Sequence, residues 1–306
     1  MTAPGIPNEY VLSTSCFGNR LTTIEDQIFA AVAMGFRRLE LGLCETPPSM
    51  DGLEDSQRET GVDLRSLVAG CRDARSNDMA CTFLGSMDAA ERERALNSVR
   101  RHARLAQAWG CQRVVVRGSK VEDAKLAVAA KDLRSRIAHD ESTPELLADV
   151  AKFVAKAQRA GHRQAEHLCR SLHTLTQEFP EMRFAVEPGR EIDDLIGFEV
   201  MGWILDDLAR QELGYWHDVG SIHQRERRGL PAQAQWLESF GQRMVGIHLQ
   251  DAAEEEAEMP LGLGEVDFKL VKEYLPDDAD RVVELDSRHG RAEVLASVQF
   301  LVDQGF

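Results

Sequence analysis

The stretch Gly214–His223, "GYWHDVGSIH", joins a short apolar run to an acid, a glycine and a histidine. Its aromatic first half is typical of a buried strand, and Asp218 stands at the end of that strand. An ionised carboxylate is costly in an apolar strand unless it is paired or binds a cation. Asp218 is therefore either a metal ligand or a strand-end acid that caps the next segment or forms a salt bridge.

Similar apolar runs lie on both sides of this stretch and recur along the whole chain. Eight strands are predicted: Tyr10–Cys16, Arg38–Gly42, Leu64–Ala69, Arg113–Arg117, Arg183–Glu187, Gly214–Asp218, Met244–Leu249 and Arg281–Leu285. Apolar residues at helical spacing between them predict helices. These are Thr23–Met34, Asp88–Trp109, Glu166–Glu178, Gly197–Arg210, Pro231–Phe240, Asp267–Tyr274 and Arg291–Gln304.

This alternation predicts an α/β fold with a parallel sheet that is buried on both faces. Eight strand–helix units favour a closed (β/α)₈ TIM barrel, and residues 1–306 are long enough for one such domain. An open doubly wound sheet is the alternative, but no G-x-G-x-x-G turn follows the first strand. Residues 120–161, between the fourth and fifth strands, are predicted to form a helical insertion that packs on the barrel, closes as a lid or joins a homo-oligomer.

The composition excludes several kinds of partner. The chain has 36 Lys and Arg against 51 Asp and Glu, a formal net charge of −15, which repels nucleic-acid backbones and anionic membranes. No apolar run approaches the length of a membrane helix, and no signal peptide is evident at the first residues. Scattered cysteines without a C-x-x-C pair indicate reduced thiols in a cytoplasmic protein.

The last four predicted strands each deliver an acid or a histidine at the same end. These residues are Glu187, Asp218, His248 and Glu284. Active sites of barrels lie at the carboxyl ends of the strands, so the four side chains are expected to converge. Three carboxylates at one barrel mouth would repel one another unless a cation lies between them. Three oxygen donors and one imidazole suit a single divalent ion such as Mn²⁺, Mg²⁺, Co²⁺ or Zn²⁺.

Six motifs stand at or near the ends of these strands: "GFRRLELG" (35–42), "AVEP" (185–188), "YWHDVG" (215–220), "VGIHLQD" (245–251), "PLGLGEVDF" (260–268) and "VVELDS" (282–287). With these motifs the chain resembles the xylose-isomerase-like TIM-barrel superfamily of sugar phosphate isomerases and epimerases, from about Val11 to Phe306. The resemblance implies one divalent metal held by the four residues above. It also implies that Glu187 and Glu284 exchange a proton on opposite faces of a carbohydrate-like ketone while the metal stabilises the enediolate.

The chain departs from the family pattern at three positions where relatives commonly carry histidine. Ser221, Gln250 and Met259 stand there, which argues against a second metal. The extra histidines of the DNA-repair branch, the endonuclease IV type, are also missing. The leading interpretation is a metal-dependent isomerase or epimerase of a sugar, sugar phosphate or polyol-derived ketone. The alternatives are an inosose-type dehydratase on the same scaffold and a non-catalytic sugar-binding relative.

Four further side chains are candidates for substrate binding: His223, Arg190, Arg117 and Phe17. His223 could replace the histidine absent at position 221 or could lie on an exposed loop. Arg190 could reach a substrate anion or pair with a nearby acid, and Arg117 could face the pocket or a salt bridge of the barrel. Glu40, at the end of the second strand, is expected to be a hydrogen-bonding acid at the barrel mouth and not a ligand.

Overall fold

Eight parallel strands close into a barrel in their order along the chain, and the last strand pairs with the first. The structure is a computed structural model that describes residues 6–44, 46–72, 79–80, 82–139, 143–254 and 256–306. The barrel strands are β1 (Tyr10–Ser13), β2 (Arg38–Leu41), β3 (Asp63–Ala69), β4 (Arg113–Arg117), β5 (Arg183–Glu187), β6 (Gly214–Asp218), β7 (Met244–Leu249) and β8 (Asp280–Val283). The predicted (β/α)₈ architecture is confirmed. β1 is shorter than predicted because residues 14–20 turn into 3₁₀ helix.

Helices cover the outside of the barrel. In the described residues they are α1 (Ile24–Met34), α2 (Leu53–Thr60), α3 (Ala89–Ala108), α4 (Ala124–His139), α5 (Pro144–Ala160), α6 (His162–Glu178), α7 (Phe198–Asp207), α8 (Val219–Arg227), α9 (Gln233–Phe240), α10 (Phe268–Tyr274) and α11 (Arg291–Asp303). Every predicted helix is present, with ends that differ by a few residues. The sequence did not predict α2 or α8, and α4 and α5 occupy most of the predicted 120–161 segment, of which residues 140–142 lie outside the described residues.

The predicted helix Asp88–Trp109 starts at the residue that caps α3, and the side chain of Glu91, three positions later, does not complete a capping box. Asp88 accepts hydrogen bonds from the backbone N–H groups of Ala90 and Glu91, at 2.7 and 3.0 Å. The Glu91 carboxylate does not return to the backbone of Asp88, as a capping box requires. It accepts the hydroxyl of Ser86 at 2.5 Å, and that same hydroxyl accepts the Asp88 N–H.

The barrel interior is filled by one inward-facing side chain from most strands. The cluster is Val11, Val68, Val115, Ala185, Trp216, Val245 and Val282, all at most 3% exposed. Trp216 takes up much of this space because β7 carries no side chain beside it: a Cβ on Gly246 would lie 2.1 Å from the indole ring. A second, larger apolar cluster lies between the strands and the surrounding helices, as expected for a parallel sheet covered on both faces.

In the part of the chain that the structure describes, two short antiparallel pairs lie outside the barrel. Cys71–Arg72 pairs with Met79–Ala80, and Asp251–Ala253 pairs with Glu256–Met259 after β7. The second pair includes the end of an acidic run at 254–258, of which Glu255 lies outside the described residues. Among the helices that the structure describes, none is long and apolar enough to cross a membrane.

Candidate metal centre

Charged side chains stand at the carboxyl ends of the barrel strands, directly above the apolar interior. Because side chains alternate along a strand, the residue two positions after an inward-facing one also faces inward. On four strands this second residue is charged: Arg117, Glu187, Asp218 and Glu284. His248 on β7 stands opposite Asp218 in the register between β6 and β7, and Arg117 stands opposite Glu187 between β4 and β5. The barrel register therefore gathers the five side chains at one end.

The four predicted ligands come together in space. One donor atom from each of Glu187, Asp218, His248 and Glu284 lies within 4.8 Å of the donors of the other three, and all four residues are buried. Nδ1 of His248 lies 3.1 Å from Oε1 of Glu187 and 3.3 Å from Oε2 of Glu284. The two glutamates thus approach the imidazole from different strands, and the group could hold a metal ion.

The other ring nitrogen of His248 is held by an acid from the opposite side of the barrel. Nε2 lies 2.9 Å from Oε1 of Glu40, whose Oε2 accepts the hydroxyl of Ser66 at 2.9 Å. A carboxylate behind a histidine is the usual partner of an imidazole that binds metal through its other nitrogen. The arrangement fits the expectation that Glu40 bonds at the barrel mouth, and it directs Nδ1 towards the glutamates.

Asp218 is fixed by the residues that replace two of the expected histidines. Oδ1 accepts the backbone N–H of Ser221 and the amide Nε2 of Gln250, both at 2.8 Å, and Oδ2 accepts the Ser221 hydroxyl at 2.7 Å. The bond from the Ser221 N–H caps α8, which begins at Val219 directly after the strand. Asp218 therefore caps a helix, as one of the sequence interpretations held, and it also faces the ligand group.

Arg117 reaches into the middle of this group. Nη2 donates to Oε1 of Glu187 at 3.0 Å and to the two oxygens of Glu284 at 3.3 and 3.4 Å, and it lies 3.5 Å from Nδ1 of His248. Nε donates a further short hydrogen bond to Oε2 of Glu187. Both alternatives drawn from the sequence thus hold for Arg117, because it faces the site and forms salt bridges there.

Burial and charge drive the pKa values of the two glutamates apart. Burial would raise the pKa of Glu187, but the charge of Arg117, with that of His248, holds it well below its usual range. Burial raises the pKa of Glu284 to about 7, against the opposing effect of His248 and Arg117. Burial lowers the pKa of His248, but Glu284, Glu40 and Glu187 together raise it well above its usual value. The site thus pairs one ionised carboxylate with one that holds its proton near neutral pH.

A profile of the xylose isomerase-like TIM barrel family matches residues 28–304. The chain belongs to this family. Comparison with curated proteins gives no match.

Solved structures share the fold at low sequence identity. The 3-keto-D-glucoside 4-epimerase YcjR from E. coli has a TM-score of 0.62 and 14% identity, over 97% of this chain and 100% of that one. The D-allulose 3-epimerase from Methylomonas sp., solved with D-allulose, has a TM-score of 0.60 and 16% identity, over 99% of both chains. The IOLI protein, solved with a zinc atom, has a TM-score of 0.61 and 11% identity, over 96% of both. At these identities the likeness shows the fold.

A cavity of about 260 Å³ opens beside the candidate metal ligands, and Arg117, Glu187, Asp218 and Arg190 are among the residues that line it. Arg190 donates to Ser221 Oγ at 3.2 Å and to Glu258 Oε1 at 2.5 Å. Arg190 thus pairs with a nearby acid, one of its two predicted roles. Glu258 was not predicted as a site residue, because it lies in the acidic run 254–258 and not at the end of a predicted strand.

Two other predicted substrate contacts lie apart from this cavity. His223 is on α8 and not on a loop, and its Nε2 lies 3.8 Å from an oxygen of Glu265. Phe17 is buried and lines a separate cavity of about 330 Å³ together with Cys16 and Arg20. The structure therefore brings Arg190 and Arg117 to the cavity beside the candidate ligands, whereas His223 and Phe17 are not among the residues that line this cavity.

The glycine loop after β7 forms a structural turn. Gly262 adopts a φ of +87°, and a Cβ on Gly264 would lie 2.3 Å from Oδ1 of Asp251. The Asp251 carboxylate accepts the N–H groups of Gly262 and Val266, at 2.8 and 3.2 Å. Asp267, where the predicted helix begins, caps α10. These two loop amides already have a partner within the protein.

Proposed function

We propose that this chain is a divalent-metal-dependent isomerase or epimerase that acts on a sugar, sugar phosphate or polyol-derived ketone. The observation that carries the proposal is the convergence of Glu187, Asp218, His248 and Glu284 from four consecutive strands at one end of the barrel. The epimerases among the solved structures with this fold support the same reaction class.

The residues present fit a single divalent ion. Glu40 fixes the imidazole of His248 so that Nδ1 faces the glutamates, and Ser221 and Gln250 orient Asp218. The ligand set of three carboxylates and one imidazole suits Mn²⁺, Mg²⁺, Co²⁺ or Zn²⁺. Zinc in the IOLI structure is in keeping with this choice. When bound, the ion would polarise the substrate carbonyl and balance the negative charge of the enediolate.

The two glutamates approach the site from different strands, as transfer of a proton on opposite faces of one substrate requires. Glu187 would take the proton next to the carbonyl through a carboxylate oxygen. Glu284 would return a proton to the substrate through its own carboxyl group. Return to the same carbon from the opposite face inverts it. Return to the neighbouring carbon, with the hydroxyl proton of the enediol moving to the other oxygen, exchanges an aldose and a ketose.

Exchange of substrate hydrogen with solvent tests the proposal. The Mn²⁺-loaded protein is incubated in D₂O with a panel of ketoses and keto-sugars, and NMR follows the C–H signals next to the carbonyl. Metal-dependent loss of one such signal, with a new epimer or isomer, supports the proposal. A new enone absorbance would instead identify a dehydratase. Binding of a sugar without exchange would contradict catalysis and point to the sugar-binding alternative.

A further inference from the structure

The guanidinium of Arg117 occupies the same donors that a metal would need. Its Nη2 lies 3.0 Å from Glu187, 3.3 Å from Glu284 and 3.5 Å from His248, so it contacts three of the four candidate ligands. Among the described residues, His248 is the only other basic side chain within 4.0 Å of a carboxylate oxygen of Glu187 or Glu284. The carboxylate lone pairs that would coordinate an ion therefore accept hydrogen bonds from Arg117.

A guanidinium and a divalent ion compete for these donors. The lone pairs that accept from Nη2 are no longer free for an ion, and two cations among the same buried carboxylates would repel each other strongly, since solvent screens them little. The Arg117 side chain has space into which it can move. It is the last residue of β4, its side chain is 26% exposed, and it lines the 260 Å³ cavity that opens beside the ligands.

We infer that Arg117 is a built-in competitor of the divalent ion, so that the guanidinium and the metal hold the same carboxylates in mutually exclusive states. This inference rests on the proposed metal-dependent function. In the metal-free state Arg117 and His248 together balance the charge of these buried carboxylates. Metal binding displaces the Arg117 side chain towards the cavity. The ion pairs of Arg117 must break for this, which lowers the metal affinity of the protein.

Removal of Arg117 should therefore act in opposite directions on stability and on metal binding. The variant Arg117→Met keeps a long side chain without charge. The matched control Arg190→Met removes an equal charge from the same cavity, but the contacts of Arg190 are with Ser221 and Glu258 and not with the glutamate ligands. Metal-stripped proteins are titrated with Mn²⁺ against a chelating indicator dye, and their urea unfolding is measured without metal.

We expect Arg117→Met to bind Mn²⁺ about tenfold more tightly than the wild type, or better, and to be less stable without metal. Arg190→Met should stay within about threefold of the wild-type affinity because the hydrogen bonds of Arg190 go to Ser221 and Glu258 and occupy no oxygen of the candidate ligands. Binding by Arg117→Met that equals or falls below that of a metal-binding wild type overturns the inference and leaves the proposed function standing. Absence of Mn²⁺ binding by both proteins overturns the inference and the proposed function together.

A second variant keeps the test decisive if Arg117→Met does not fold without metal. Arg117→Lys retains the charge but loses the planar fork that contacts Glu187 through two nitrogens. The weaker competitor should raise the Mn²⁺ affinity by about threefold, because fewer charge-assisted hydrogen bonds are lost on displacement. An affinity equal to or below that of the wild type would contradict competition.

Discussion

Nε2 of His248 lies 2.9 Å from Oε1 of Glu40, and both side chains are fully buried. The contact joins β7 to β2 across the barrel, 208 positions apart in the sequence. It fixes which ring nitrogen faces Glu187 and Glu284. The proposed metal site therefore depends on a residue that is not itself a predicted ligand.

Replacement of Glu40 by glutamine should weaken metal binding. Glu40→Gln keeps the shape of the side chain but removes the negative charge that raises the basicity of His248. We expect the Mn²⁺ affinity to fall by about 10- to 100-fold, the usual effect of such a supporting residue. The control Asp63→Asn makes the same chemical change on a half-exposed side chain at the start of β3. Unchanged affinity in Glu40→Gln would contradict the supporting role.

Replacement of Glu284 by glutamine should abolish proton transfer and preserve the fold. The amide fills the same volume but cannot give and take a proton, so deuterium incorporation should fall by about 10²- to 10⁴-fold. The far-ultraviolet circular dichroism spectrum and the urea midpoint should stay close to those of the wild type. Glu265→Gln, on an exposed residue, serves as the control. Activity within threefold of the wild type would show that Glu284 is not a catalytic group.

The free energy of unfolding should depend on pH because of Asp194, which lines the cavity. Burial raises the pKa of Asp194 to about 6, Asp193 adds to this, and Lys120 and Arg225 oppose it. The folded chain thus holds this proton more tightly than the unfolded chain, whose aspartate titrates near 3.9. The free energy of unfolding should therefore fall as the pH rises from about 4 to about 6, by roughly 3 kcal/mol at most.

The variant Asp194→Asn isolates this contribution. Its amide oxygen can still accept the N–H of Glu191, which Asp194 accepts at 2.7 Å in the wild type. Relative to the wild type, the variant should gain stability between pH 4.5 and pH 7 in urea unfolding. Asp149, on α5, forms a surface ion pair with Arg136 on α4. The control variant Asp149→Asn should show the same pH dependence of stability as the wild type. If Asp194→Asn and the wild type had the same pH dependence of stability, Asp194 would not be its cause.

An ion pair at the opposite end of the barrel should affect stability alone. Asp280, the first residue of β8, lies 2.7 Å from Nη1 of Arg113 and 3.0 Å from Nε of Arg65. In Asp280→Ala the buried Arg113 guanidinium loses its ion pair with this carboxylate. The free energy of unfolding should therefore fall by about 3–5 kcal/mol. Metal affinity should not change, since the ligands lie at the other end of the strands. The control is Asp277→Ala, on the exposed surface. A loss of Mn²⁺ affinity in Asp280→Ala comparable to that of Glu40→Gln would contradict the prediction that this ion pair affects stability alone.

The ends of consecutive strands were predictable from the sequence because the geometry of a barrel is regular. Once eight strands are recognised, parallel pairing places their carboxyl ends together, and the alternation of side chains directs Glu187 and Asp218 inward. Apolar runs such as Arg183–Glu187 and Gly214–Asp218 have the observed bounds. For these strands, the local sequence pattern and the regular geometry of a barrel were sufficient to predict the strand bounds and the inward-facing acids.

The remaining features depend on contacts that no local pattern contains. α8 was missed because Gly220 disfavours a helix; the start of the helix is stabilised by Asp218, and a Cβ at Gly220 would lie 3.0 Å from Gln250. Glu258 reaches the cavity only because its strand folds back after β7. The contact of Arg117 with Glu284 joins residues 167 positions apart, and side-chain direction decides it.

The position of a bound ion tests the central claim most directly. Crystals of the Mn²⁺-loaded protein, measured at a wavelength where manganese scatters anomalously, locate the ion independently of any substrate. We predict one strong anomalous peak within coordination distance of Glu187, Asp218, His248 and Glu284. A fully loaded crystal with no peak between these four side chains, or with its peak elsewhere, would contradict the account.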